Sequence, residues 1–74
     1  MLREVKFFME GFEITQEYAI ELLKKYADEC GMEYEDAVNE ISVDGDVLLK
    51  DGYLSMVTEV DGCPEEYMSV IFGI

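Results

Sequence analysis

Carboxylates are the side chains of this sequence whose type and spacing could do chemistry. Glu33, Asp36 and Glu40 follow one another at intervals of three and four residues, which places side chains about 5–6 Å apart on one face of a helix. DNA carries one charge per roughly 3.4 Å along each strand. A folded surface with rows of carboxylates therefore approaches the charge density of a phosphate backbone. Such a surface suits the Arg and Lys sites of a nucleic-acid-binding protein.

Metal binding and catalysis find less support. Asp44-x-Asp46 has the spacing that opens an EF-hand loop. Leu48 and Ser55, however, occupy the fifth and twelfth positions, where calcium requires an oxygen ligand and a glutamate. The sequence has no histidine and no glycine-rich phosphate loop, so a nucleophile lacks its usual base and a nucleotide its usual cradle. We therefore expect no metal, no cofactor and no enzymatic activity.

Composition indicates a folded acidic domain. The chain has 74 residues and a formal net charge of −13, while half of its residues are hydrophobic. Disordered acidic chains lack such residues, so we predict a single domain over residues 1–74. The charge is uneven, because residues 26–74 hold thirteen acids and one base, Lys50. Clustered like charges destabilise a small fold, so we expect a binding role, with solubility or a high-salt host as the alternative.

The charge also restricts the partners and the compartment. Direct binding to nucleic acid or to an anionic membrane requires a basic patch. The sequence has none, so we expect neither. Charges at Arg3, Glu4 and Lys6 interrupt any apolar stretch at the amino terminus, which predicts no signal peptide and a cytoplasmic location. Cys30 and Cys63 are then expected as free thiols.

The amino-terminal half predicts a hairpin and two helices, the elements that position most of the acids. Alternating apolar residues on both sides of Glu10-Gly11 indicate a β-hairpin over residues 3–14. Thr15 is a suitable N-cap for a first helix, and Gly31 is suited to end it. Apolar residues at helical spacing predict a second, shorter helix over residues 34–41.

The carboxy-terminal half predicts β-structure. Residues 47–49 and 53–60 flank an Asp51-Gly52 pair, which is typical of a hairpin turn. Apolar alternation over residues 67–74 predicts a last strand. The element order is then ββααβββ. We expect an α+β fold in which two helices pack on one face of a small antiparallel sheet.

The aromatic residues are expected to contribute much of the core. Five of them fall on faces that should point inward: Phe7, Phe12, Tyr26, Tyr34 and Phe72. Phe8, Tyr53 and Tyr67 are harder to place. A core position is favoured for each, and a protein interface is the alternative, because large exposed aromatics are typical of interfaces.

In size, charge and expected compartment, the chain resembles the small acidic inhibitors that phages make against host defence, especially anti-CRISPR proteins and other DNA mimics. The likeness spans the whole chain and is compositional. These proteins share no motif, so no functional residue carries over from them. The resemblance implies an inhibitor that occupies the nucleic-acid cleft of a defence nuclease, such as a CRISPR effector.

The sequence therefore predicts a non-enzymatic inhibitor of a basic, nucleic-acid-binding protein, acting through acids that stand where DNA phosphates would. Nine carboxylates are its candidate partner-binding residues: Glu33, Glu35, Asp36, Glu40, Asp44 and Asp46, followed by Asp61, Glu65 and Glu66. The alternative is a small interaction or homodimeric assembly module that pairs through an edge strand. Residues 67–74, which carry no charge, are the candidate edge.

Overall fold

The computed structural model describes residues 5–58 and 65–74, with side chains at all of these except 65–68. The described residues form four strands and three helices. The strands are β1 (Val5–Met9), β2 (Phe12–Ile14), β3 (Asp46–Leu49) and β4 (Gly52–Thr58), and the helices are α1 (Gln16–Cys30), α2 (Tyr34–Asp44) and α3 (Glu65–Phe72). The helices pack against the sheet, so the predicted α+β fold is confirmed.

The sheet is antiparallel, with strand order β2-β1-β4-β3. Strand β1 and strand β4 form its centre, with Phe7 opposite Met56. The two short outer strands each belong to a hairpin. Both predicted hairpins are therefore confirmed, with turns at residues 10–11 and 50–51.

Local signals explain helix α1. The Thr15 hydroxyl accepts a hydrogen bond from the Tyr18 backbone N–H at 3.2 Å, which caps the amino-terminal end. At the other end, Gly31 adopts a left-handed conformation and ends the helix. The next residue, Met32, donates its backbone N–H to the Ala27 carbonyl at 2.9 Å, and the chain then enters α2. Helix α2 begins at Tyr34 as predicted. It continues to Asp44, three residues beyond the predicted end.

The core lies between the helices and one face of the sheet. The sheet contributes Phe7, Val47 and Leu54, which are almost fully buried. The helices cover them with further buried side chains: Ala19, Leu22, Leu23 and Ala27 from α1, Ala37, Val38 and Ile41 from α2, and Ile71 and Phe72 from α3. Tyr26 and Tyr34 pack against this core and are partly buried.

Two aromatic predictions are wrong. Phe12 lies opposite Met9 on the helix-covered side of the sheet, yet 78% of its surface is exposed. It sits beside the turn on the outer strand β2, where no described element covers it. Tyr53 lies on the other side of the sheet and is half exposed. Phe8 shares that side and is partly buried, while the side chain of Tyr67 lies outside the described residues.

The last predicted strand is also wrong, because its residues belong to helix α3. Ile71 and Phe72 are adjacent and both buried, whereas neighbours on a strand point to opposite faces. Val70, which the strand prediction placed inward, is 80% exposed. The homodimer alternative therefore loses its candidate edge strand. The outer strands of the described sheet are β2 and β3.

Contacts from three elements hold the end of α3 against the core. The Phe72 ring meets the Phe7 ring edge to face, with centroids 5.8 Å apart. The Tyr34 hydroxyl donates to the Phe72 carbonyl at 2.8 Å. The Gln16 side-chain amide donates to the Ile71 carbonyl at 3.1 Å. The Ile71 and Phe72 carbonyls lie in the last turn of α3, where the helix supplies no N–H partner. These two hydrogen bonds satisfy them.

Candidate functional site

Five carboxylates surround the turn between α1 and α2. All of them are exposed, and we call this group the acidic corner: Asp28, Glu29, Glu33, Glu35 and Asp36. Two lie in the last turn of α1, one is the N-cap of α2, and two lie in its first turn. The connection between the helices is only three residues long. The fold therefore holds three of the predicted site residues close to two further acids.

The helix dipoles treat these acids differently. Glu35 and Asp36 lie at the positive end of α2, where a carboxylate stabilises the helix. Asp28 and Glu29 lie at the negative end of α1, where a carboxylate destabilises it, and the last turn of α1 has no basic residue to compensate. Part of the acidic corner therefore works against the stability of the helix that carries it.

Lys24 contacts an aromatic ring at the start of α2, beside the acidic corner. The Lys24 ammonium lies over the Tyr34 ring, 5.5 Å from its centroid, a cation–π geometry. Burial raises the pKa of the Tyr34 hydroxyl, which also donates to α3. Tyr34 thus fixes the start of α2 relative to both neighbouring helices, and with it the position of Glu35 and Asp36.

Glu40 differs from the other predicted acids, because it takes part in an intramolecular hydrogen bond. It is partly buried, and its carboxylate accepts a hydrogen bond from the Tyr26 hydroxyl at 3.0 Å. Burial, the Glu40 carboxylate and nearby Cys30 raise the pKa of Tyr26 from 10.0 to about 12. Glu40 therefore joins α1 to α2, in contrast to the exposed Glu33 and Asp36 with which it shares a helical spacing.

Asp44 and Asp46 stand on either side of Gly45, where α2 gives way to β3. Asp44 is the last residue of α2, again at the negative end of a helix without a basic residue in its last turn. Asp46 begins β3 opposite Ser55. Because Asp46 alternates with the buried Val47, its side chain points to the side of the sheet away from the helices. The structure therefore divides the predicted site between the helix layer and the far side of the sheet.

The carboxy-terminal candidates are only partly described. Asp61 lies outside the described residues. Glu65 and Glu66 form the start of α3, and nothing is described of their side chains. Acids in the first turn of a helix favour its dipole, so these two have a structural reason for their position.

Sequence reasoning missed two parts of the candidate surface. Asp28 and Glu29 were not among the candidate residues, although they lie only five and four residues before Glu33 and are both exposed. Leu48 and Val57 are exposed apolar residues on the far side of the sheet. Their signal was the alternation within each predicted strand, because both residues occupy positions that point away from the core.

A shallow cleft of about 220 Å³ lies beside the acidic corner. It lies between α1 and the β3–β4 turn, and it is lined by Leu22, Lys25, Glu29, Leu49, Lys50 and Asp51. Two lysines there face two carboxylates, so the cleft has no strong preference for a charge. No group of three or more Cys, Asp or Glu side chains in the described segments is arranged to hold a metal ion.

None of the helices described here is long and apolar enough to cross a bilayer. Comparisons with known proteins add no relative: no protein-family model, no curated protein and no solved structure matches the chain.

Proposed function

We propose that this protein is a non-enzymatic inhibitor that binds a basic, nucleic-acid-binding protein through the acidic corner. Carboxylates of the corner pair with Arg and Lys side chains that otherwise hold phosphates. The bound inhibitor then excludes the nucleic acid from its groove. A CRISPR effector nuclease, acting in the cytoplasm, is the target class that the compositional resemblance implies.

The observation that carries this proposal is the position of Asp28 and Glu29. Both are exposed at the negative end of α1, where neutral or basic residues would stabilise the helix by roughly 0.3–1 kcal/mol each. Solubility alone does not require acids at that end, since acids elsewhere on the surface would serve equally well. A cationic partner supplies a reason, because it stabilises these charges when it binds.

Charge pairing also predicts how the complex responds to salt. The Debye length shortens from about 30 Å at 0.01 M ionic strength to about 8 Å at 0.15 M. Pairs at the rim of an interface weaken strongly over this range, whereas apolar contacts persist. We expect binding to weaken steeply with salt and to compete with the DNA or RNA of the target.

Capture from a CRISPR-bearing bacterial lysate tests the proposal. The immobilised protein is compared with the variant E33K/D36K, which reverses two exposed charges of the acidic corner. The matched control is E17K/E21K, which reverses two exposed acids of α1 outside the corner. Glu17 lies in the first turn of α1, and Asp36 lies in the first turn of α2. Each variant therefore places one lysine in the first turn of a helix, so the two are matched in this respect.

We expect the wild type and E17K/E21K to retain one basic nucleic-acid-binding protein, which added salt or added nucleic acid elutes. E33K/D36K should lose it. Equal capture by both variants would show that overall charge governs binding and would reject the acidic corner as the site. Capture that resists salt and nucleic acid would replace mimicry with another mode of inhibition.

A further inference from the structure

The side of the sheet opposite the helices carries an apolar surface. Its outward positions alternate with the core positions of each strand, and four of them are apolar: Phe8 on β1, Leu48 on β3, and Tyr53 and Val57 on β4. We call these four residues the open face. Leu48 is 60% exposed, Tyr53 50% and Val57 48%. A solvated sheet face normally carries polar residues at these positions. The exposure of apolar side chains there indicates a binding surface for another molecule.

In the described strands, three charged residues lie on the same side of the sheet as the open face: Glu13 and Asp46 at its two edges, and Lys6 on β1 opposite Val57. The strand register places Glu13, Phe8, Ser55 and Asp46 in one row across the four strands. Glu13 and Asp46 occupy the two ends of that row and are both exposed. Adjacent strands lie about 4.8 Å apart, so the backbones that carry the two carboxylates are roughly 14 Å apart.

These dimensions fit one helix of a partner. An α-helix with its side chains is about 10–12 Å across, and helices commonly cover the faces of sheets. A helix laid on the open face would place an apolar stripe on Phe8 and Val57. Its flanking positions would then reach Glu13 on one side and Asp46 on the other, which favours Lys and Arg at those positions.

The net charge of the chain distinguishes between the molecules that could bind the open face. A second copy of the chain would bring a net charge of −13 against an equal charge, which opposes association. A basic segment is attracted by the same field. We propose that the open face binds a basic amphipathic helix of the target protein, an inference that rests on the proposed function and adds a second, apolar contact to it.

The probe for this proposal is a synthetic amphipathic helix of Lys and Leu. Its control replaces every Leu with Ala, which keeps the charge and the helix propensity and removes the apolar stripe. The test variant of the protein is L48T/V57T, which retains residues compatible with strands. The matched control is V43T/V70T, which changes two exposed apolar residues outside the open face.

We expect the wild type to bind the Lys/Leu helix more tightly than the Lys/Ala helix at physiological ionic strength. L48T/V57T should weaken binding of the Lys/Leu helix by about tenfold, and V43T/V70T should leave it unchanged. Circular dichroism and thermal unfolding establish that both variants fold. Backbone amide shifts on titration should concentrate on β1, β3 and β4.

Equal binding by the two variants, or shifts confined to α2, would overturn the proposal. Self-association of the wild type that L48T/V57T abolishes, measured by light scattering, would assign the open face to a second copy and overturn it too. The variant E33K/D36K separates this inference from the proposed function. If its lysate capture equals that of the wild type while the peptide results hold, the acidic corner fails and the open face stands.

Discussion

The Tyr26 hydroxyl donates a hydrogen bond of 3.0 Å to the Glu40 carboxylate and so ties α1 to α2. The two residues are fourteen positions apart in sequence and lie on consecutive helices. A carboxylate placed on a helix surface by its spacing thus has an intramolecular role. The pair also makes the stability of the fold depend on pH in a defined direction.

Replacing Tyr26 with Phe should lower the free energy of unfolding by about 1 kcal/mol at neutral pH, because it removes one partly exposed hydrogen bond to a charged group. The difference from the wild type should shrink as the pH rises. Burial and the Glu40 carboxylate raise the pKa of Tyr26 from 10.0 to about 12. Between these values the unfolded chain has lost the proton and the folded chain retains it, so stability falls with pH.

Urea unfolding of both proteins across this pH range measures that difference. Tyr18→Phe, which changes an exposed tyrosine of α1, is the control for loss of a tyrosine hydroxyl and should leave the free energy of unfolding at neutral pH nearly unchanged. A difference between wild type and Tyr26→Phe that stays constant up to pH 12 would contradict the assignment.

Neutralising an acid should have opposite effects at the two ends of α1. Asp28→Asn removes a charge that opposes the helix dipole, and we expect it to raise the free energy of unfolding by roughly 0.5 kcal/mol. Glu17→Gln removes a charge that favours the dipole, and we expect a loss of similar size. Thermal and urea unfolding at low salt measure both. If the two variants shift stability in the same direction, net charge and not helix position is the cause.

Gly52 should tolerate no side chain. Its φ is +136°, a conformation that L residues rarely adopt. An added Cβ would also collide with the Glu10 side chain. Gly52→Ala should therefore lower the free energy of unfolding by roughly 1–3 kcal/mol. Gly11→Ala is the control for backbone strain alone, because the φ of Gly11 is also positive but a Cβ there meets open space. It should lower the free energy of unfolding by less than Gly52→Ala does.

The double variant E10A/G52A separates the collision from the backbone strain. The Glu10 carboxylate accepts a hydrogen bond from the Tyr53 N–H at 3.2 Å, so Glu10→Ala alone should destabilise the fold slightly. The double variant should lose less than the sum of the two single losses, because one substitution removes the collision that the other creates. Additive losses in urea unfolding would exclude a contact between the two positions.

Phe72 should carry much of the attachment of α3. Phe72→Ala removes a buried ring that packs on Phe7, and such changes lower the free energy of unfolding by about 3–5 kcal/mol. Tyr34→Phe removes only the bond to the Phe72 carbonyl and should lower it by about 1 kcal/mol. Near-ultraviolet circular dichroism and urea unfolding measure both. Equal losses would contradict this prediction, because they would mean that the ring contributes no more to the attachment than the hydrogen bond does.

The sequence predicted elements whose signals are local. Helix α1 has a capping residue at one end and a glycine at the other, with apolar residues at helical spacing between them. The two hairpins have turn residues between alternating strands. Each of these signals depends on residues within a few positions of one another, and each was confirmed.

Helix α3 depends on distant contacts, and the sequence prediction failed there. Val70, Ile71 and Phe72 favour a strand by intrinsic propensity. Packing of Phe72 on Phe7 and the bonds from Gln16 and Tyr34 override that preference. One local signal was present, because a proline followed by Glu65-Glu66 is typical of a helix start.

The candidate surface shows the same division. The clustering of Glu33, Glu35 and Asp36 could be predicted, because they flank one helix start. The hydrogen bond that engages Glu40 could not, because it needs the packing angle of α1 against α2. Asp46 lies on the far side of the sheet because it alternates with the buried Val47. A shift of one residue would exchange the two faces, and the sequence pattern alone did not show which face the helices cover.

The attachment of α3 also bears on how fast the chain can fold. Phe7 and Phe72 lie 65 positions apart in the sequence and meet ring to ring in the core. Bringing such distant residues together costs loop-closure entropy before their contact stabilises the chain. Long-range contacts slow folding for this reason, so we expect the docking of α3, and not the formation of the two local hairpins, to limit the folding rate.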